Sequence, residues 1–399
     1  MNYKAALKTR FKTQNEDRVR DNTILIQAGL LISLLTSILF FLQAIAYNGG
    51  YMSDLPAHIN QALYMANYSI IFLLMKWLLV FTRYTVYSIA LLEGLTIGAA
   101  FICTALLLEK RFEIGRYMSM IASFCLLPLT NIYVPVLFPR FYLGSIISQP
   151  WHNMTYNAMR PLAILTMIFF GPLHEIYRKE KRISWKYWIL TCVMLVIATS
   201  LKPNFLMGFA PGLLVFILID FFGKRNTFKN EFLLGCVVLP AIAVLPIQAH
   251  MLFDGMNGIV FAPSIFYFND TIVISVMRFV TALPLPIMVY IHNRHRLENG
   301  AGVAAWAYVW AVLEGMFIME DGPRQTHGNF LWGQFILGYV LFVYVTAMFL
   351  RDFNEYRNGN QKRTKGNRAY LTAGFILMAL HVASGFYYFH GIIIGAYIY

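Results

Sequence analysis

Four short segments between apolar stretches carry the polar side chains that could act on a substrate. They contain Asp54 and His58; His152, Asn153, Tyr156 and Arg160; Lys202 and Asn204; and Glu320, Asp321, Arg324 and His327. Carboxylates and imidazoles can transfer protons, and the cations of Lys and Arg can bind phosphate groups. The combination predicts proton transfer beside an anionic substrate.

Asp54 is the only acidic residue of its segment, and a helix-like run, 59–64, follows it. An Asp at this position can cap the helix, and Pro56 suits the first helical turn. The same carboxylate, fixed beside the His58 imidazole, can instead act as a general base that takes a proton from a hydroxyl. Both interpretations stay open from the residues alone.

Lys202 and Arg324 are the cations of greatest interest. Lys202 is either a lysine whose ammonium extends from a tight turn to the membrane surface or a cation that holds an anionic head group. Arg324 either pairs with Glu320 or Asp321 or binds phosphate in a bidentate manner. Phosphate binding is favoured because Lys202 and Arg160 are predicted on the same face as Arg324.

A metal site is the weaker interpretation of these segments. His152 and His327 can each be structural residues at the membrane surface. No HExxH or CxxC spacing occurs. We therefore predict no required cofactor, with a divalent metal at Asp54 and His58 as the minor alternative.

The elements that position these residues must lie in a membrane. Of the 399 residues, 58% are hydrophobic and 13% are charged. A soluble protein has about 25% charged residues, so the composition excludes a soluble enzyme, a disordered chain and a fibre. The four Cys residues lie within apolar runs, which predicts neither a disulfide framework nor a zinc site.

The apolar stretches predict an all-α polytopic membrane protein with about eleven transmembrane helices in one domain, 1–399. The predicted spans are near 23–47, 85–108, 118–137, 157–173, 187–200, 205–222, 231–253, 271–291, 301–318, 330–350 and 370–390. The apolar stretch 69–82 is interrupted by Lys76 and followed by Arg83. It predicts an amphipathic or re-entrant helix within the first outer loop, 48–84.

Basic residues occur in alternate loops. Of the 32 Lys and Arg residues, 25 lie in 1–22, 109–117, 174–186, 223–231, 292–299 and 351–369. The positive-inside rule places these segments, including the N-terminal tail 1–22, in the cytoplasm. The four polar segments then face the extracytoplasmic side. Topology and contact with anionic membrane lipids explain the net charge of +13, so nucleic acid is not a predicted partner.

This layout resembles the GT-C class of membrane glycosyltransferases. Those enzymes have a cytoplasmic N-terminus, one span, an outer loop with an acid before a helix, and a long polytopic bundle. Three segments are also similar to bacterial members: Trp151-His152-Asn153-Met154-Thr155 with Arg160-Pro161; Lys202-Pro203-Asn204-Phe205; and Gly322-Pro323-Arg324 with His327-Gly328-Asn329-Phe330. The class moves a sugar from a polyprenyl-phosphate or polyprenyl-diphosphate carrier to an acceptor outside the cytoplasm.

The resemblance implies an inverting glycosyltransferase of the bacterial cytoplasmic (inner) membrane, with a polyprenyl-phosphate-linked sugar as donor and a glycan or lipid as acceptor. It implies Asp54 as the base and Lys202, Arg324 and Arg160 as ligands of the donor phosphate. It implies supporting or substrate-contacting roles for His58, His152, Asn153, Tyr156, Asn204, Glu320, Asp321 and His327. Members often carry a paired acidic motif in the first outer loop, where this chain has Asp54 with His58.

Two other membrane functions remain as alternatives. A flippase or transporter of lipid-linked glycans would also need a cationic cavity, but it should show internal repeats and broken midplane helices. The chain shows no such repeat. A polymerase of lipid-linked glycans usually has a large Arg-rich outer loop, which 48–84, the longest outer loop, does not provide.

Overall fold

The computed structural model describes residues 3–46, 53–64, 68–83, 85–136, 151–253, 258–268, 271–322, 328–360 and 364–394. Within these ranges the chain is almost entirely helical. The helices are α1 (Tyr3–Ala46), α2 (Leu55–Tyr64), α3 (Ile70–Phe81), α4 (Val86–Phe112), α5 (Arg116–Leu126), α6 (Met154–Glu180), α7 (Trp185–Leu201), α8 (Asn204–Phe222), α9 (Phe228–Gly235), α10 (Leu239–Ile242), α11 (Val244–Phe253), α12 (Ile265–Phe268), α13 (Ile272–Ala282), α14 (Pro284–His292), α15 (Ala301–Phe317), α16 (Leu331–Arg357) and α17 (Lys365–Ile393). A 3-10 turn, Cys236–Val238, joins α9 to α10, and two strands are β1 (Ile259–Phe261) and β2 (Ile318–Glu320).

Membrane-spanning helices dominate the described part of the chain. Six helical segments there are long and apolar enough to cross a membrane, or seven when the bent pair α13 and α14 forms one span. Three further apolar helices, α3, α7 and α15, are shorter. The protein is therefore an all-α integral membrane protein with several spans. The count of eleven and the GT-C-like arrangement remain predictions.

The stretch predicted as a span near 118–137 contains a shorter helix. Helix α5 ends at Leu126, and Pro128 follows, which has no backbone N–H to donate to a continued helix. The chain after it packs against α17, where His381 Nδ1 lies 2.7 Å from the carbonyl oxygen of Thr130. Apolar composition predicted a span here, but the proline ends the helix after three turns.

Helix α16 forms the core of the bundle. Its most apolar stretch of 18 residues is completely buried inside the protein. The helix packs against α15, α8, α14, α6 and α4. Helix α1, by contrast, exposes Leu30, Leu31 and Leu34. A contiguous apolar face of this kind is suited to contact with lipid rather than with water.

Helices α1 and α4 approach each other through small residues. A side chain at Gly98 would overlap the backbone carbonyl of Gly29 and the Ser33 hydroxyl, and one at Gly94 would overlap Ser33 and Ser37. Gly94 and Gly98 are four residues apart and lie on the same helix face. The backbones are therefore in direct contact, as in the small-xxx-small packing of transmembrane helices.

We expect Gly98→Ala to lower the thermal stability of the protein in detergent, because the added methyl group overlaps the α1 backbone. Overpacking of this kind costs about 1–3 kcal/mol. Gly366→Ala in α17 is the matched control, since the nearest atom to its added Cβ is 3.9 Å away. The unfolding midpoints of both variants, measured beside the wild type, test this; equal midpoints would contradict the tight contact.

The segments around the predicted outer loops form two local structures. In the first, α2 packs against α3, whose buried face comprises Ile71, Phe72, Met75 and Leu79. In the second, β1 pairs with β2 in antiparallel register, with Ile259 opposite Glu320. Strand β2 lies shortly before α16 in the chain, and β1 lies between α11 and α12. Their pairing joins two loops that the sequence shows only as separate breaks between apolar stretches.

Candidate functional site

Asp54 lies at the start of α2, where backbone contacts fix its position. Its carbonyl oxygen accepts a hydrogen bond from the His58 amide at 2.8 Å, and its own amide donates to the carbonyl oxygen of His152 at 3.0 Å. The Leu55 amide donates to Ser53 Oγ at 3.1 Å. Ser53 therefore caps the first turn of α2, and the Asp54 carboxylate, whose side chain is 40% exposed, contacts the segment before α6.

Asn153 holds the Asp54 carboxylate and caps α6 at the same time. Its Nδ2 donates to Asp54 Oδ2 at 2.6 Å. Its Oδ1 accepts hydrogen bonds from the Tyr156 amide at 3.0 Å and from Thr155 Oγ1 at 2.7 Å. Because the cap uses Oδ1, the amide group can present only its NH2 to Asp54, which fixes the orientation of the pair.

Lys202 completes a chain of hydrogen bonds that ends at Asp54. Its Nζ donates to Thr155 Oγ1 at 2.7 Å, Thr155 donates to Asn153, and Asn153 donates to Asp54. Every donor in this relay points from the ammonium toward the carboxylate, so each bond polarises the next. The four residues (Lys202, Thr155, Asn153 and Asp54) are called the relay below.

Lys202 itself is only 8% exposed. Its Nζ lies 4.3 Å from the ring centroid of Trp332, on the face of the indole. Burial lowers the pKa of Lys202 to about 7, and the nearby Asp54 carboxylate partly opposes that shift. The ammonium is thus poised to change its charge near neutral pH, unless an anion binds and stabilises the protonated form.

Two imidazoles flank the relay. His152 Nε2 is 3.9 Å from Asp54 Oδ2, and the His58 ring is tilted against Phe72 with 5.4 Å between centroids. Burial lowers the pKa of His58 to about 4 and also lowers the pKa of His152, although Asp54 acts in the opposite direction on both. Both rings are therefore neutral at pH 7, and Asp54 is the group suited to accept a proton.

The structure does not bring Arg160, expected as a phosphate ligand, to this surface. Its side chain is 0% exposed, and its guanidinium lies against the rings of Trp151, Tyr156 and Tyr339 at 5.1, 4.9 and 5.5 Å. Arg160 Nη1 donates to the carbonyl oxygen of Leu127 at 3.1 Å. The guanidinium thus joins α6 to neighbouring elements. Tyr156, expected near the substrate, is likewise completely buried.

A second polar group adjoins the relay through Asn204, two residues after Lys202. Asn204 Nδ2 donates to the carbonyl oxygen of Asn329 at 2.7 Å, and Asn329 Nδ2 donates to Glu320 Oε2 at 2.5 Å. Asp321 is exposed and accepts a hydrogen bond from the Gly322 amide. Asn204 and Glu320, which lie in different segments, are therefore joined through Asn329, while Arg324 and His327 lie outside the described residues.

Thr155 and Glu93 are two polar residues near the relay that sequence reasoning did not assign to the site. Asn157 Nδ2 donates to Glu93 Oε1 at 2.8 Å. Asn153 and Asn157 are four residues apart at the start of α6, so each can hold one carboxylate on the same helix face. The four-residue spacing of these two asparagines is the feature of the sequence that could have indicated a second carboxylate. No feature of the sequence indicates the role of Thr155, because that role depends on the position of Lys202.

The described residues contain no group of three or more His, Cys, Asp or Glu side chains arranged to hold a metal ion. The Asp54 and His58 pair stays a minor alternative on sequence grounds.

Searches with this chain against protein-family models, curated proteins and solved structures found no match.

Proposed function

We propose that the protein is a GT-C-like inverting glycosyltransferase of the bacterial cytoplasmic membrane. It would move a hexosyl or pentosyl group from a polyprenyl-phosphate donor to a hydroxyl of a glycan or lipid acceptor on the extracytoplasmic face. The observation that carries this proposal is the relay, which joins a buried cation to an accessible carboxylate. These are the two groups that direct displacement at an anomeric carbon needs.

In this mechanism Asp54 removes the proton of the acceptor hydroxyl as that oxygen attacks the anomeric carbon. Asn153 occupies Oδ2 of Asp54, which leaves Oδ1 for the hydroxyl. The bond between the anomeric carbon and the phosphate oxygen breaks, and its electron pair goes to the leaving phosphate. One displacement of this kind inverts the anomeric configuration.

Lys202 would balance the negative charge that grows on the departing phosphate. Its slight exposure strengthens this effect, since an ion pair is stronger where water is excluded. The side chain is also held from two sides, by Thr155 and by the Trp332 ring. A charge that is fixed before the reaction needs no reorganisation during it. Arg324 stays a predicted second ligand of the same phosphate.

The basic residues in the last turn of α6 lie at the opposite end of the helix from the relay, which supports an extracytoplasmic site. Helix α6 begins next to Asn153 and ends near Arg178 and Lys179. Its 27 residues correspond to about 40 Å at 1.5 Å per residue, so its two ends are separated by about the thickness of a bilayer. The relay therefore lies at the end of α6 opposite the basic segment 174–186, which the positive-inside rule assigns to the cytoplasm.

Binding of polyprenyl phosphate is the first test, because every polyprenyl-phosphate-linked donor releases this product whatever its sugar. We expect saturable binding to the purified protein in lipid nanodiscs, and an uncharged polyprenol of equal length should bind much more weakly. With a panel of polyprenyl-phosphate sugars, the transferred sugar should show inverted anomeric configuration by NMR. The absence of saturable phosphate-dependent binding, or retention of configuration, would contradict the proposal.

We expect the contribution of Lys202 to phosphate binding to disappear as pH rises through about 7, where burial places its pKa. Below that pH the ammonium is charged and holds the phosphate; above it the amine is neutral. Lys202→Arg is the control, since a guanidinium stays charged. The affinity of wild type relative to Lys202→Arg, measured from pH 6 to 9, should fall as pH rises, and a constant ratio would contradict this role.

A further inference from the structure

A cavity lies at the end of α6 opposite the relay, where three of the basic segments meet. Its volume is about 430 Å³. The cationic side chains around it are Arg178, Lys179, Arg225, Arg294 and Arg296. They come from the end of α6, from the turn after α8 and from the turn between α14 and α15, so the fold rather than chain proximity gathers them.

Two of these five cations form no ion pair with a carboxylate among the described residues. Ion pairs hold the other three: Lys179 with Glu175, Arg225 with Asp220, and Arg296 with Asp352 and Glu355. Arg178 and Arg294 form no ion pair with any residue that the structure describes, and Arg294 Nε donates only to the His295 ring, at 3.0 Å. The cavity therefore retains two guanidinium groups for an anion.

His174 on the cavity wall is a second observation that points to a ligand. The residue is buried, and neither ring nitrogen forms a hydrogen bond within the described residues. Its closest carboxylate oxygen, Glu175 Oε1, is 3.8 Å from Nδ1, which is too long for a hydrogen bond. A buried polar group without a partner is unfavourable, and a ligand oxygen in the cavity would satisfy it.

We propose that this cavity binds a phosphate-bearing anion at the predicted cytoplasmic face, with Arg178 and Arg294 as the principal ligands and His174 as a hydrogen-bond partner. Guanidinium groups suit phosphate because they offer parallel donors in a planar fork. Phe216, Ile219 and Trp306 supply apolar wall beside the cations. The site therefore fits either the head group of an anionic phospholipid or a soluble phosphate ester, and it does not depend on the proposed transfer reaction.

The test uses the full-length protein with two probes. Phosphatidylglycerol binding is counted by native mass spectrometry, and binding of glycerol 3-phosphate is measured by calorimetry in a zwitterionic detergent. We expect Arg178→Gln and Arg294→Gln each to weaken binding about tenfold, as loss of a charge-assisted contact does. Binding of the lipid alone identifies a membrane ligand, and binding of both probes identifies the phosphate ester itself as sufficient.

Arg182→Gln is the matched control, because Arg182 lies in the same basic segment but pairs with exposed Glu180 away from the cavity. It should change binding less than twofold. Arg294 is exposed, so Arg294→Gln keeps the test decisive should Arg178→Gln fold poorly. If neither probe binds the wild type, or if Arg182→Gln and Arg294→Gln lose the same affinity, the proposal is overturned.

Discussion

Asp54→Asn is expected to reduce sugar transfer by about three orders of magnitude while the protein still folds and inserts. An amide has almost the shape of a carboxylate but cannot take a proton from the acceptor hydroxyl, and a general base contributes about 10²- to 10⁴-fold to rate. The measurement is turnover of a polyprenyl-phosphate sugar by the reconstituted variant at saturating donor. The backbone contacts that fix residue 54 do not use its side chain, so the helix start should persist.

Two comparisons make that result specific. Asn60→Ala alters an exposed side chain of the same helix, α2, and should retain full turnover. Below about pH 7, where the ammonium of Lys202 is charged, Asp54→Asn should also keep most of its affinity for polyprenyl phosphate, because the phosphate cation is Lys202. Wild-type turnover in Asp54→Asn would remove Asp54 from the reaction, whereas equal loss of binding and turnover would point to a structural role for the carboxylate.

The sequence predicted which segments hold the polar site but not the contacts within it. Asp54, Asn153 and Lys202 each stand at a break between apolar stretches on the same predicted side, so their general proximity follows from topology. Their connection depends on Thr155, whose hydroxyl lies between an amide oxygen and an ammonium. Nothing local to Thr155 requires that arrangement, since it depends on where α7 ends relative to α6.

Arg160 shows that the pattern of charges in the sequence does not predict whether a cation is exposed or buried. A cation at the edge of an apolar stretch predicts a membrane-boundary residue, and Arg160 fits that pattern. The structure instead surrounds it with aromatic rings, two from the same segment and one from Tyr339 in α16. Cation–π contacts of this kind stabilise a desolvated guanidinium. Tyr339 lies 179 positions after Arg160 in the chain. Their contact therefore depends on how α16 packs and cannot be predicted from the sequence around Arg160.

The all-helical class followed directly from composition, whereas helix ends and strands did not. Apolar content predicted a span through 118–137, but the short helix α5 ends at Leu126, two residues before Pro128. The pairing of β1 with β2 joins residues about 60 positions apart, with three residues in each strand. Strands this short carry too little alternation to be recognised. The early end of α5 and the strand pair are both differences from the predicted helices, and both lie where the chain leaves the helical bundle. Strand β2 ends at Glu320, which contacts the polar site.

Lys202→Met should weaken binding of polyprenyl phosphate by about 10- to 100-fold, the range expected when a charge-assisted contact to an anion is lost. Methionine keeps much of the length of lysine and its packing against Trp332, so the change removes charge more than volume. Lys76→Met is the matched control, because Lys76 lies exposed on α3 in the first outer loop, on the same predicted side of the membrane as Lys202, and should affect binding less than twofold. The mutation of Lys202 should also lower the maximal rate, since the cation acts most strongly on charge that develops as the phosphate departs. Unchanged affinity, or equal losses in the two variants, would separate Lys202 from the donor and leave the relay without its proposed purpose.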